Sequence, residues 1–117
     1  MAVISFSDKA EETWCVAGWA FRQLLDDVIT QYPNDMEMVD KLEQSKTHSG
    51  LVLDLLEASF ADRISNAINH AANGILSGSI RSGIEDQPYG DEATVQQYLE
   101  SLEDLLRTFP AKGDQVK

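Results

Sequence analysis

The chain has 117 residues, a length suited to one domain around one core, and its 43% hydrophobic content argues against wholesale disorder. Twenty acids against nine bases leave a formal net charge of −11, which makes nucleic acid and an anionic membrane poor partners and a basic protein the natural complement. A lone cysteine, Cys15, excludes an intramolecular disulfide, and the opening MAVISFSDKAEE has no basic leader and no run long enough to span a bilayer, so a soluble, cytoplasmic protein is expected.

Residues 2–6, AVISF, read as a short extended arm or an edge strand. Asp8 with Glu11 three residues on forms a capping box. Ala10, Trp14, Ala17, Phe21, Leu24, Val28 and Tyr32 then recur at spacings of three and four, which predicts a first helix over 8–32, ended by Pro33. Asn34 with Glu37 opens a second helix, 35–46, with Met38, Val39 and Leu42 inward. His48, Ser49 and Gly50 read as a loop. Leu53, Leu56, Phe60, Ile64, Ala67, Ile68 and Ala71 predict a third helix over 51–73, with Gly74 as its stop.

Over 74–84 two tendencies compete. Leu76, Ile80 and Ile84 keep a spacing of four, while Gly74, Gly78 and Gly83 each cost a helix about 1 kcal/mol relative to alanine. A kinked continuation or a short helix over 75–85 is expected. EDQPYG, 85–90, is a turn. Asp91 caps a last helix over 91–109, whose stripe is Val95, Leu99, Leu102, Leu106 and Phe109, widened by Tyr98 and Leu105 and stopped by Pro110. The expected fold is all-α: a single domain, 1–117, built as an antiparallel bundle of four to five helices behind a short N-terminal extended arm, with the third helix central.

TWCVAGWAF contains both tryptophans. On a helical projection Phe21, Leu24, Leu25 and Val28 fall within about 80° of Trp14, which places Trp14 on the core stripe. Trp19 falls near 140°, on the flank shared with Cys15. Three readings of Trp19 stay open: cover by AVISF or the tail, an exposed anchor for a partner protein, or a self-interface in a homodimer.

The chain offers little chemistry. His48 and His70 are the only histidines and lack metal-ligand spacing, and no phosphate loop, dinucleotide loop or nucleophile elbow is present. Cys15 has no base close in sequence and reads as a buried, inert thiol. Asp62, Ser65, Asn66, Asn69 and Asn73 share one face of the third helix, as a wetted surface, a hydrogen-bonding surface for a partner or a buried polar seam. No catalytic residue, metal or cofactor is assigned.

Charge is the most informative feature. Residues 82–106 hold seven acids, Glu85, Asp86, Asp91, Glu92, Glu100, Glu103 and Asp104, and no Lys or Arg. Glu100, Glu103 and Asp104 share the outward face of the last helix without lysines at i,i+4 to offset them. These seven, with Trp19 as an apolar anchor, are the candidate partner-binding residues. The expectation is a small acidic binding protein, not an enzyme, that neutralises a basic partner enzyme. In size, acidity, lone cysteine and lack of catalytic groups the chain resembles bacterial immunity proteins and antitoxins that inhibit nuclease toxins, in general character and without a shared motif. The alternative is a helical homo-oligomeric regulatory or structural protein that uses the Trp19 flank on itself.

Overall fold

Alternation, rather than helical period, governs the N-terminal residues. In the computed structural model, which describes residues 2–6, 13–88 and 90–108, Ala2–Ser5 form strand β1 and Thr13–Val16 form β2. Ala2, Ile4, Trp14 and Val16 point into the core, and Cys15 points out. The stretch TWCV mixes β-branched and aromatic residues, the composition that favours a pleated, half-buried strand. The two strands pair antiparallel, with Ile4 opposite Trp14.

The expected all-α bundle is therefore corrected to a mixed fold. Among the described residues, four helices stand with a three-stranded sheet of order β2-β1-β3, in which β3 (Gly50–Val52) runs parallel to β1. Residues 2–6 are neither arm nor edge, because β1 is the central strand. The first helix does not begin near residue 8. Its observed start is Gly18, and α1 runs Gly18–Gln31. The capping box of Asp8 and Glu11 lies outside the described residues, as do Phe109, Pro110 and the tail.

Downstream, the elements shift by a few residues from their expected bounds. Tyr32 closes α1 just ahead of Pro33, as expected. Helix α2 spans Met36–His48, and its cap is Asp35, not Asn34: the Asp35 carboxylate accepts from the Met38 amide at 3.2 Å. Met38 and Leu42 are buried, as read from the sequence, while Val39 is half-buried. The helix continues through His48, and Ser49 takes the left-handed turn (φ 56) that leads into β3. A 3-10 turn, Leu53–Leu55, separates β3 from α3, Ala58–Ser77, so the third helix starts seven residues later than its stripe suggested. Leu53 remains inward, and so mimicked the first turn of a helix.

Gly74 does not stop α3. Gly78, at φ 86, occupies the left-handed capping position. The chain then doubles back: the Ser79 and Ile80 amides both donate to the Gly74 carbonyl, at 2.9 and 3.0 Å, and lay Ile80 across Gly74. The expected helix over 75–85 resolves into this turn and a 3-10 segment, Gly83–Asp86. Helix α4, Glu92–Thr108, is capped by Asp91, whose carboxylate accepts from the Thr94 amide at 2.8 Å. That contact holds the Asp91 carboxyl below its usual range. Tyr98, Leu102 and Leu105 form the buried side of α4; Val95, Leu99 and Leu106 pack at its margin.

The core is a single cluster between the inner face of the sheet and the helices, with Trp14, Phe21, Leu24, Leu25, Ile64, Ile68 and Leu102 essentially solvent-free. Trp14 joins its two layers: its indole Nε1 donates to the Ser101 carbonyl of α4 at 3.1 Å. No helix among the described residues is long and apolar enough to cross a membrane.

A methyl group at Gly74 would overlap the Ile80 side chain, with the Ile80 Cβ only 3.2 Å away. Gly74→Ala therefore loses about 1–3 kcal/mol of stability through overpacking, outweighing its better helix propensity. A lowered urea midpoint at unchanged m-value checks this.

Candidate protein-binding groove

Asp27 is the buried charge-bearing group around which this end of the molecule is arranged. It sits on the inward side of α1 and is 4% exposed. Its Oδ2 accepts from the Ser82 hydroxyl at 2.6 Å and from the Tyr98 hydroxyl at 2.7 Å. Its Oδ1 accepts from the Gly83 amide at 2.9 Å and from Gln23 Nε2 at 3.0 Å. Four neutral donors thus use the acceptor capacity of one carboxylate, which is how a buried carboxylate is accommodated without a cation. The phenol of Tyr98 is held well above its ordinary range, first by burial and then by the neighbouring Asp27 charge, so it stays a donor.

Ser82, Asp27 and Tyr98 are a hydroxyl–carboxylate–hydroxyl set, but both hydroxyls donate to the carboxylate and all three groups are buried. A nucleophile needs a base that takes its proton and a path for substrate. Here the arrangement clamps three chain segments: α1, the loop at 82–83 and α4. Gln23 turns its Nε2 to Asp27, which leaves its buried Oε1 without a hydrogen-bond partner.

Tyr98, fixed in this way, carries Trp19 on its ring, with centroids 6.3 Å apart and planes tilted at 44°. Trp19 is half-buried, and it lines an open groove of about 360 Å³ between the β2–α1 corner and α4. One wall is apolar: Val16, Ala17, Trp19 and Ala20. The other is polar and acidic: Gln97, Glu100, Ser101 and Asp104 of α4. The two tryptophans therefore part company. Trp14 is core, though as a strand residue, and Trp19 is half core and half groove.

The structure divides the eight expected partner-binding residues. It brings Trp19, Glu100 and Asp104 together in the groove. Glu103 is exposed on α4 but does not line it. Glu85 and Asp86 lie on the 3-10 segment, and Asp91 and Glu92 at the start of α4, all exposed and away from the groove lining. Asp91 serves as a cap, and Glu92 faces the positive end of the helix dipole.

Arginines bracket the acidic run. Arg81 forks onto Asp86, at 2.9 and 3.0 Å, and holds the Asp86 carboxyl below its usual range. Arg107 donates to Asp104 at 3.3 Å. Among the described residues, these two acids are the ones of the seven held in ion pairs.

Two other expectations are settled by geometry. Cys15 is exposed on the outer face of β2, not buried, because strand alternation turns it away from Trp14 and Val16. The polar stripe of α3 is mixed: Ser65 is buried, Asp62, Asn66 and Asn73 are exposed, and the Asn73 amide folds back on Asn69. His70 packs edge-on against Tyr32 at 6.3 Å. The sequence reading missed Asp27 and Gln23 as buried polar groups. On the helical projection both fall well away from Phe21, Leu25 and Val28, on what reads as a wet face with Arg22 and Asp26; they are buried because the 82–83 loop and Tyr98 of α4 cover that side of α1.

Tyr98→Phe removes one of two donors from Asp27 Oδ2 and is expected to cost about 1.5–3 kcal/mol, measured by denaturant unfolding. The raised phenol pKa also sets a pH dependence. Tyr98 is neutral in both states below about pH 10, so stability is full there. It falls as pH rises further, because the unfolded chain ionises first. Spectrophotometric titration of the folded protein will show Tyr98 protonated until unfolding, a feature absent from Tyr98→Phe. No family model, no curated protein and no solved structure matches this chain, so the groove's own chemistry carries its functional reading.

Proposed function

We propose that this chain acts by binding, with no reaction of its own, and captures a basic segment of a partner protein in the Trp19 groove. The observation that carries this reading is the meeting of Trp19 with Glu100 and Asp104 in one open groove. An aromatic wall supplies an apolar anchor of the kind enriched among binding hot spots. The facing carboxylates supply the charge that selects a cationic partner and speeds its approach. Of the five remaining acids, Glu85, Glu92 and Glu103 extend the negative field beyond the groove and act on encounter rate more than on the bound contact.

Neutralisation of a basic enzyme, in the manner of an immunity protein or antitoxin against a nuclease toxin, is the activity this chemistry fits best. Active sites that hold phosphate are cationic, and an acidic surface is their electrostatic complement. A cytoplasmic setting agrees with the exposed thiol of Cys15, which a reducing compartment keeps free. The self-association reading is less favoured. A two-fold contact through the Trp19 flank sets Glu100 and Asp104 of one copy near those of the next, and like charges in such a contact repel.

Pull-down of the tagged protein from its native lysate, washed at low and then high salt, is expected to release a single basic protein at high salt. With that partner in hand, Glu100→Gln with Asp104→Asn slows association about tenfold at low salt and also shortens the complex lifetime. Glu85→Gln with Glu92→Gln lowers the association rate alone. Equal effects of the two pairs on both rate constants, measured by surface plasmon resonance, would count against the groove as the contact site. Recovery of the bait alone as a dimer by light scattering would favour self-association.

A further inference from the structure

We infer that the groove recognises arginine in particular, with a guanidinium laid along the Trp19 wall and held by the carboxylates of Glu100 and Asp104. This rests on the binding-protein reading above and narrows the partner from any basic segment to one that presents arginine side chains.

The two walls are matched to the two properties that separate arginine from lysine. A guanidinium is planar and weakly hydrated, so it lies against an aromatic surface, and its five N–H donors form a fork that reaches more than one acceptor. The groove offers both features on opposite sides. Trp19 is backed by Tyr98, which Asp27 fixes, so the indole is held in place before any partner arrives. Opposite it, Glu100 and Asp104 stand one helical turn apart on α4, about 6 Å along the axis. Carboxylates at that spacing suit a forked head better than a compact ammonium.

Asp104 already shows the contact in miniature. It accepts a guanidinium N–H from Arg107 at 3.3 Å, in a pair where both side chains are more than half exposed. Such an open pair is weak and exchanges readily with a better-placed donor. Glu100 takes one side-chain hydrogen bond from Gln96 Nε2 at 3.3 Å, also at the surface. Lysine would gain the charge attraction but not the stacking, and its stronger hydration opposes entry beside the apolar wall.

The test titrates the full chain with hexa-arginine and, separately, with hexa-lysine, two peptides of equal charge, at low ionic strength. Affinity is read by calorimetry and the site by the Trp19 indole N–H resonance, with the Trp14 indole, tied to Ser101, as the internal marker of an intact fold. Hexa-arginine is expected to bind about fivefold more tightly than hexa-lysine, the ratio that a stacking contribution of about 1 kcal/mol gives. It also moves the Trp19 resonance and leaves Trp14 in place. Trp19→Ala abolishes the preference, and Glu100→Gln with Asp104→Asn, a surface pair that leaves packing intact, abolishes it independently. Equal affinity for the two peptides, both weakened alike by Glu100→Gln with Asp104→Asn, overturns the arginine preference and leaves the basic-segment reading standing. Neither peptide moving Trp19 overturns both.

Discussion

One carboxylate, Asp27, holds together the part of this protein that carries the Trp19 groove. Asp27 gathers a serine, a tyrosine, a glutamine amide and a backbone N–H from three separate stretches of chain. Removing any donor leaves a buried acceptor short of a partner, which costs more than the hydrogen bond itself contributes. That asymmetry makes the cluster specific as well as stabilising, because a slipped α4 or a displaced 82–83 loop would strand the charge. The adjoining Gln23, with its buried and unmatched Oε1, shows that local satisfaction is incomplete and that Asp27 dictates the orientation.

Two hydrogen bonds of long range set the position of α4. Tyr98 binds Asp27 from one side of the helix, and the Ser101 carbonyl receives the Trp14 indole from the sheet. Between them they fix both the height and the rotation of α4. The groove is the space that remains where α4 passes the β2–α1 corner, and its acidic wall is acidic because rotation places Glu100 and Asp104 there. Function on this reading depends on packing one layer below the surface: the indole of Trp19 stands on the ring of Tyr98, and that ring stands on Asp27.

Much of this was legible in the sequence, and what was hidden has physical causes. The helical stripes of 24–28, 38–42, 64–71 and 98–105 each cover about one to two turns and survive in the structure. β2 and β3 were hidden, and β1 read only as an arm or edge strand, because each is only three or four residues long. Over so short a run, Trp14 and Val16 fit strand alternation, while Trp14 and Phe21 equally fit a helical period. Nothing local marks β1 and β3 as partners, since their parallel pairing joins Ile4 to Leu51 across the whole of α1 and α2. The acidic run was visible, yet its division was not: which acids cap, which pair with Arg81 and Arg107, and which meet Trp19 depends on how the chain turns around Gly78 and Gly90. A helical projection through Trp14 sets Trp19 apart although the helix does not reach back that far, and in the structure Trp19 stands out because α1 starts one residue before it.

The span of these contacts bears on how the protein comes into being. Synthesis runs from the N-terminus at about 5–20 residues per second, so β1 and α1 leave the ribosome well before α4 exists. The Trp14–Ser101 bond bridges 87 positions and the Asp27–Tyr98 bond bridges 71. Until α4 emerges, the nascent chain holds an indole and a carboxylate whose native partners have not yet been made. The sheet and α1 therefore cannot settle into their final form ahead of the C-terminal helix, and α4 arrives as the piece that completes the fold and creates the groove in the same step.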